Sequence, residues 1–258
     1  MATTVGDGGH SGGSMRIQFL GSGDAFGSGG RFNTCILVEA GTAVFLIDCG
    51  ASSLIAMRRF RVTPNRVQTI FITHLHGDHF GGLPFFILDA QLVSRRIEPL
   101  TIAGPPGLRK RLAEASEALF PGSSRVERRF AIETIELQPG ASRSINGVLV
   151  TPYLVAHPSG APPLALRLEA EGKVVAYSGD TEWTDALVPA ARGADLFISE
   201  AYYFEKQVKF HLDYQTLQRH LGELQPKRLM LTHMSEDMLA RLGALEHETA
   251  EDGMAIEL

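Results

Sequence analysis

Residues 69–79 read Thr-Ile-Phe-Ile-Thr-His-Leu-His-Gly-Asp-His: a β-branched apolar run, then three histidines and an aspartate within six residues. The run over 69–73 predicts a strand. Side chains two apart share a face of an extended chain, whereas on a helix they point to nearly opposite sides. His74 and His76 can therefore converge on one metal just beyond the strand's end. Gly77 is expected to permit a sharp turn, so that Asp78 and His79 face a second centre close by.

Outward from this stretch, apolar runs at 16–20, 35–40, 43–48, 100–104, 130–137, 148–156, 164–170, 173–178, 195–199, 228–232 and 255–258 also read as strands. Helical patterns fall near 53–60, 82–94, 106–119, 184–191, 214–224 and 236–245, and Pro105 and Pro106 suit the first turn of the third. Strands outnumber helices, partly as meanders and partly in β-α-β alternation. The expected fold class is α/β, one domain with helices outside layered sheets. The glycine-rich segment 21–30, GSGDAFGSGG, leads into a strand rather than a helix, so it is not a dinucleotide-binding fingerprint. Residues 1–14 are Gly/Ser-rich and aperiodic and read as a tail or an added segment, leaving 15–258 as the folded domain.

The chain has 258 residues, 44% hydrophobic and 21% charged, which excludes disordered, collagen-like and coiled-coil classes. No apolar run approaches the roughly 18–20 residues of a membrane span, and no signal-peptide pattern opens the sequence. Cys35 and Cys49 cannot staple a fold of this size, so the expected setting is reduced and cytoplasmic. Residues 58–129 carry twelve Lys and Arg against six Asp and Glu, a balance of +6, so the remainder carries −11 of the net −5. Arg58, Arg59, Arg61 and Arg66, with Arg109, Lys110 and Arg111, read either as solvated helix faces or as a surface for a phosphate-bearing substrate.

The central motif resembles the His-x-His-x-Asp-His hallmark of the metallo-β-lactamase superfamily, and the resemblance extends over 15–258. His157, Asp180 and His233 each follow a predicted strand, where ligands gather in open α/β sheets. The resemblance implies a four-layer αβ/βα sandwich and two divalent metals, Zn²⁺ first and Mn²⁺ or Fe²⁺ open. It assigns His74, His76 and His157 to the first metal, Asp78, His79 and His233 to the second, and Asp180 to a bridge. Asp78 would also help orient or deprotonate the bridging water, and Asp48 would orient ligands rather than bind metal. His76 stands where the flavin-linked di-iron branch has an acidic residue, which weakens a redox reading. Two metals about 3.5–4 Å apart can share a hydroxide and clamp an oxyanion, so the motif implies hydrolysis without choosing a substrate.

The opening segment 19–39 resembles ribonuclease Z and the phosphoribosyl cyclic phosphodiesterases. Segment 199–217 with 231–235 resembles the ribonuclease Z block that carries a glutamate, a histidine and the final ligand histidine. On that match Glu200 and His211 are a proton-delivering pair for the leaving oxygen. Ribonuclease Z usually has a long tRNA-gripping arm between the third histidine motif and the bridging aspartate. Here 22 residues separate His157 from Asp180, enough for a hairpin and no arm. The expectation is a phosphodiesterase for small or cyclic phosphodiesters, with tRNA and membrane outside its partners and a homodimer left open. The alternatives are a lactonase, arylsulfatase or other ester hydrolase, a tRNA 3′-processing endonuclease, and a non-catalytic ligand carrier. Ser159 and Trp183 are expected in ordinary loop roles, and His10, His220 and His247 as non-catalytic.

Overall fold

A computed structural model describes residues 13–258, and of residue 124 only the backbone. Of the expected 1–14 tail, residues 1–12 lie outside the described residues, His10 among them. The strands form two seven-stranded sheets, labelled here in chain order. The first runs β14 (Ala255–Glu257), β1 (Met15–Gly21), β2 (Cys35–Ala40), β3 (Ala43–Ile47), β4 (Thr69–Phe71), β5 (Leu100–Gly104), β6 (Ile132–Glu136). The second runs β13 (Glu248–Thr249), β12 (Leu229–Thr232), β11 (Leu196–Glu200), β10 (Lys173–Tyr177), β9 (Leu164–Ala170), β8 (Val148–Leu154), β7 (Arg143–Ile145). Each sheet is an antiparallel meander joined to a parallel half: β3 to β6 in the first, β10 to β13 in the second.

Period-two alternation explains the layers. In β3, Phe45 and Ile47 point into the core shared by both sheets, while Leu46 points to the helices. The shared core takes Ile17, Phe19, Val38 and Phe71 from one sheet and Val150, Leu166, Val175 and Ile198 from the other. The first sheet's outer face is covered by α1 (Ser53–Arg59), α3 (Leu83–Leu92) and α4 (Leu108–Leu119) through Met57, Phe86 and Leu112. The second sheet's outer face is covered by α5 (Leu187–Ala191) and α6 (Tyr214–Leu224) through Leu187, Leu217 and Leu224. The order helix, sheet, sheet, helix is the expected four-layer sandwich.

Several local expectations change. Helix α4 begins at Leu108, after Gly107 at φ 94°, so Pro105 and Pro106 precede the helix instead of forming its first turn. The 236–245 pattern breaks into α7 (Glu236–Leu239) and a separate 3₁₀ turn at Leu242–Ala244. Gly77 does not make a sharp turn; it opens a one-turn helix, α2 (Gly77–Phe80), capped by His76. Strands β7 and β13 are too short and too polar for a periodic signal. Cys35 and Cys49 are free and buried, and burial pushes the Cys35 thiol up to about 12. Among the described residues no helix is long and apolar enough to cross a membrane.

Candidate metal centre

The polar groups gather at one edge of the two facing sheets. His74 and His76 lie in the loop after β4, and Asp78 and His79 on α2. His157 follows β8, Asp180 follows β10, Glu200 ends β11 and His233 follows β12. The structure brings His74, His76 and His157 into one group, and Asp78, His79, Asp180 and His233 into another, with potential donor atoms within 4.8 Å in each. Asp180 Oδ2 lies 3.9 Å from both His74 Nε2 and His157 Nε2 and 3.4 Å from His233 Nε2, so it stands between the groups.

The arrangement has visible supports. Asp48 Oδ2 lies 2.6 Å from His79 Nδ1, and Asp48 accepts from the Thr73 amide at 2.8 Å and from its hydroxyl at 2.8 Å. Thr73 Oγ1 in turn lies 3.0 Å from His74 Nδ1. Asp48 thus orients one histidine directly and another through Thr73, which agrees with the orienting role expected of it. His157 Nδ1 donates to the Phe210 carbonyl at 2.8 Å, leaving Nε2 to face the cluster. Asp48, Phe210 and His233 adopt φ of 58°, 70° and 54°, a left-handed backbone that non-glycine residues enter at a cost. Three such residues at one site fit the general clustering of backbone strain where function needs it.

The donors suit a small divalent cation. Ligand bonds of about 2.0–2.1 Å in a tetrahedral shell place neighbouring ligands about 3.3–3.4 Å apart. The spacings His79 Nε2–His233 Nε2, Asp78 Oδ2–His79 Nε2 and Asp78 Oδ2–His233 Nε2 are 3.4, 3.3 and 3.2 Å. His74 Nε2 is fully buried with no hydrogen-bond partner, an unusual state unless another electrophile occupies its lone pair. Burial and the charge of His79 hold His74 well below the usual histidine range. Burial opposes charge on His233 as well, yet Asp180 and Asp78 push it up to about 9. Burial would raise Asp78, but His79 and His233 hold its carboxyl well below the usual range. The cluster offers nitrogen and oxygen donors, without a thiolate.

Beside the cluster, His211 Nδ1 lies 2.9 Å from Glu200 Oε2. Glu200 is fully buried and its Oε1 accepts from the amides of Thr181 and Leu212. Burial lowers the His211 pKa, but the hydrogen bond and charge of Glu200 outweigh it and raise the imidazole above its ordinary value. Burial and nearby Asp180 push Glu200 up, while the His211 imidazole beside it works in the opposite direction. The cleft above measures about 200 Å³ and is walled by Ala25, Phe26, Tyr202 and His211 besides the metal-capable residues. A larger hollow of about 660 Å³, against Asn65, Arg96, Glu98 and Glu133, has no histidine in its lining.

Three contributors escape a sequence reading. Thr73 is visible only as the residue before His74. Tyr202 stacks on His211 with centroids 4.6 Å apart, and burial with nearby Asp24 pushes its phenol up to about 12. Phe26 belongs to the glycine-rich loop. Trp183 instead stacks on His220 at 3.6 Å, and Ser159 donates to the Ala161 carbonyl, so both keep the loop roles expected. His220 pairs with Glu223, and His247 meets the Tyr214 hydroxyl, away from the cluster. Several members of the basic runs are paired: Arg58 with Asp89, Arg66 with Glu39 of β2, and Lys110 with Glu114.

Comparison with known proteins places this geometry. The family described as "Anti-Pycsar protein Apyc1" matches residues 15–251. A ribonuclease Z of Methanosarcina acetivorans is 28% identical over 273 aligned positions, covering 86% of this chain and 88% of the relative. The short-form human tRNase Z structure superimposes with a TM-score of 0.76 at 27% identity, covering 93% of this chain and 98% of that one. The metallo-β-lactamase fold protein YhfI of Bacillus subtilis gives 0.74 at 20% identity, covering 95% and 100%.

Proposed function

The chain belongs to the Anti-Pycsar protein Apyc1 family, within the metallo-β-lactamase superfamily of metal-dependent hydrolases, and on that premise we propose that it is a dinuclear phosphodiesterase acting on small or cyclic phosphodiesters. His74, His76 and His157 would hold one divalent cation, and Asp78, His79 and His233 the other, with Asp180 between them. We take Zn²⁺ as the occupant, with Mn²⁺ or Fe²⁺ as the outcomes elemental analysis would distinguish. When bound, such a pair activates water and neutralises charge on the phosphoryl oxygens. Asp78 would help orient the attacking water. His211 delivers a proton to the departing oxygen, and Glu200 keeps His211 charged and aimed.

The observation that carries the phosphodiester reading is the Glu200–His211 pair, 2.9 Å apart, at the wall of the cleft. An alkyl phosphodiester expels an alkoxide, which needs a proton that the phenolate of an aryl sulfate does not; a lactone expels an alkoxide too, so the lactone arm of the assay decides between those two. Size supports a small substrate: β9 and β10 are joined by Glu171 and Gly172 alone, leaving no room for a gripping arm. A net charge of −5 gives little general attraction for tRNA. We read residues 15–258 as one catalytic domain, because both sheets share one core, and we place it in a reducing cytoplasm, as a monomer or homodimer that sedimentation would settle.

The test is a side-by-side assay of bis(p-nitrophenyl) phosphate, an aryl sulfate and a lactone with the metal-loaded protein. Preferred turnover of the phosphodiester is expected. Preferred turnover of the sulfate or the lactone would replace this reading with another ester hydrolase. Loss of turnover on chelation and return on metal addition is expected for all three.

A further inference from the structure

His157 and His211 come from different stretches of the chain, one as a candidate metal ligand and the other as the candidate acid, yet their ring centroids lie 5.0 Å apart. The residue before each is held by the same short segment. Before His157, the Ala156 amide donates to Thr181 Oγ1 at 3.0 Å, and the Ala156 carbonyl accepts from the Glu182 amide at 3.2 Å. Before His211, the Phe210 amide donates to Glu182 Oε2 at 2.9 Å. The Phe210 carbonyl in turn accepts from His157 Nδ1 at 2.8 Å. Hydrogen bonds therefore run from Glu182 through the Phe210 backbone to His157, and the chain returns through Ala156 to Glu182.

Phe210 is the weak point of that circuit. It sits at φ 70°, a left-handed backbone that a phenylalanine enters at a cost. Its ring is 39% exposed, so packing offsets little of that cost. The turn that follows adds one bond, from the His211 amide to the Val208 carbonyl at 3.2 Å. The main compensation is the pair of bonds at the Phe210 amide and carbonyl, and the one to the Glu182 carboxylate is charge-assisted. Without that acceptor Phe210 can relax out of the left-handed region. Its carbonyl then turns away from His157 Nδ1, and the chain entering His211 shifts with it.

We propose that Glu182 is a positioning residue: by holding the Phe210 backbone it aims the His157 ring at the metal cluster and fixes the approach of His211. Glu182 is outside both groups of metal-capable residues and acts only through its neighbours. This deepens the phosphodiesterase reading and rests on it for the roles of the two histidines.

The first readout is Zn²⁺ affinity by competitive chelator titration, which needs no turnover. Glu182→Ala should weaken one of the two Zn²⁺ sites about tenfold, the lower end of the loss when a metal-bound histidine is left without its outer support. Glu182→Gln keeps an oxygen at the same reach and should restore wild-type affinity, which a role for the negative charge itself would not allow. With both sites filled, Glu182→Ala should slow an alkyl diester more than a nitrophenyl diester, because His211 follows Phe210 in the chain. Circular dichroism confirms the fold. Should Glu182→Ala misfold, hydrogen exchange of the wild type reads the same bond: the Phe210 amide should be protected although its loop is exposed. Wild-type affinity in Glu182→Ala, an equal loss in Glu182→Gln, equal losses on both diesters or a fast-exchanging Phe210 amide would overturn the positioning role and leave the phosphodiesterase reading standing. A wild type that binds no Zn²⁺ would overturn that reading and this inference with it.

Discussion

The two sheets reach the metal centre by different routes. The first sheet delivers His74, His76, Asp78 and His79 from one short stretch after β4, braced locally by Asp48 and Thr73. The second delivers one group at a time: His157 after β8, Asp180 after β10, Glu200 at the end of β11, His233 after β12. The first half is a motif whose geometry is set by neighbours in the chain. The second half is set by strand register, since the β10, β11 and β12 pairings decide where three side chains end. A local brace concentrates vulnerability, whereas a register shared by three strands spreads it.

The largest expected effect is on the histidine group that spans the two halves. His76→Ala should cut metal content by elemental analysis, and activity should fall by more than the roughly 10²–10⁴-fold of a lost proton-transfer group. His157→Ala, its partner from the second half at 3.0 Å, should do the same. If His76→Ala retains both metals and native turnover, the two halves do not share a centre.

Next in size, Asp78→Ala should lose about 10²–10⁴-fold in turnover. Near-native turnover with both metals bound would remove Asp78 from the chemistry. Smaller again, Asp48→Asn should weaken metal affinity about 10–100-fold, because it disturbs His79 and, through Thr73, His74 without removing a ligand. A competitive chelator titration measures it. An unchanged affinity would show that the first half needs no brace.

The contrast also explains what the sequence makes legible. His74 to His79 stand out because the candidate ligands are neighbours in the chain, and the run over 69–73 announces the strand before them. His157, Asp180 and His233 are legible only as strand ends, once a partner motif supplies a reason to search. Asp48, Phe210 and His233 take left-handed backbone, which nothing in their residue types announces. Tyr202 reaches His211 because the chain reverses between β11 and α6, a tertiary event without local periodicity. The pattern over 236–245 has helical spacing, but the chain stops α7 at Leu239 and resumes as a separate turn. Gly77 keeps its place in the motif for a different reason than expected, as the first residue of α2 rather than as a sharp turn.

His211 sharpens the comparison from the second half. His211→Ala should damage turnover of an alkyl or cyclic phosphodiester far more than that of a nitrophenyl diester, whose leaving group departs without a proton. Metal content should stay unchanged, since His211 is outside the proposed ligand set. Equal losses on both substrates would point to a structural role, and loss of metal would make His211 a ligand.

The smallest effect concerns Glu200, and its readout is a pH profile. The Glu200 carboxylate, 2.9 Å away, raises the His211 pKa against the lowering effect of burial. A general acid works only while protonated, so kcat/KM for an alkyl diester should fall as pH rises through the His211 pKa. Because that pKa is raised, the descending limb should lie above the ordinary histidine value of about 6.5. Glu200→Gln removes the charge that favours the imidazolium and leaves burial to act, so the limb should move to lower pH. Below the new limb, where His211 is protonated in both proteins, the two rates should converge. The nitrophenyl diester, which needs no proton, should show neither the limb nor its movement. A uniform drop across pH on both substrates would mean that Glu200 serves only to anchor the Thr181 and Leu212 amides.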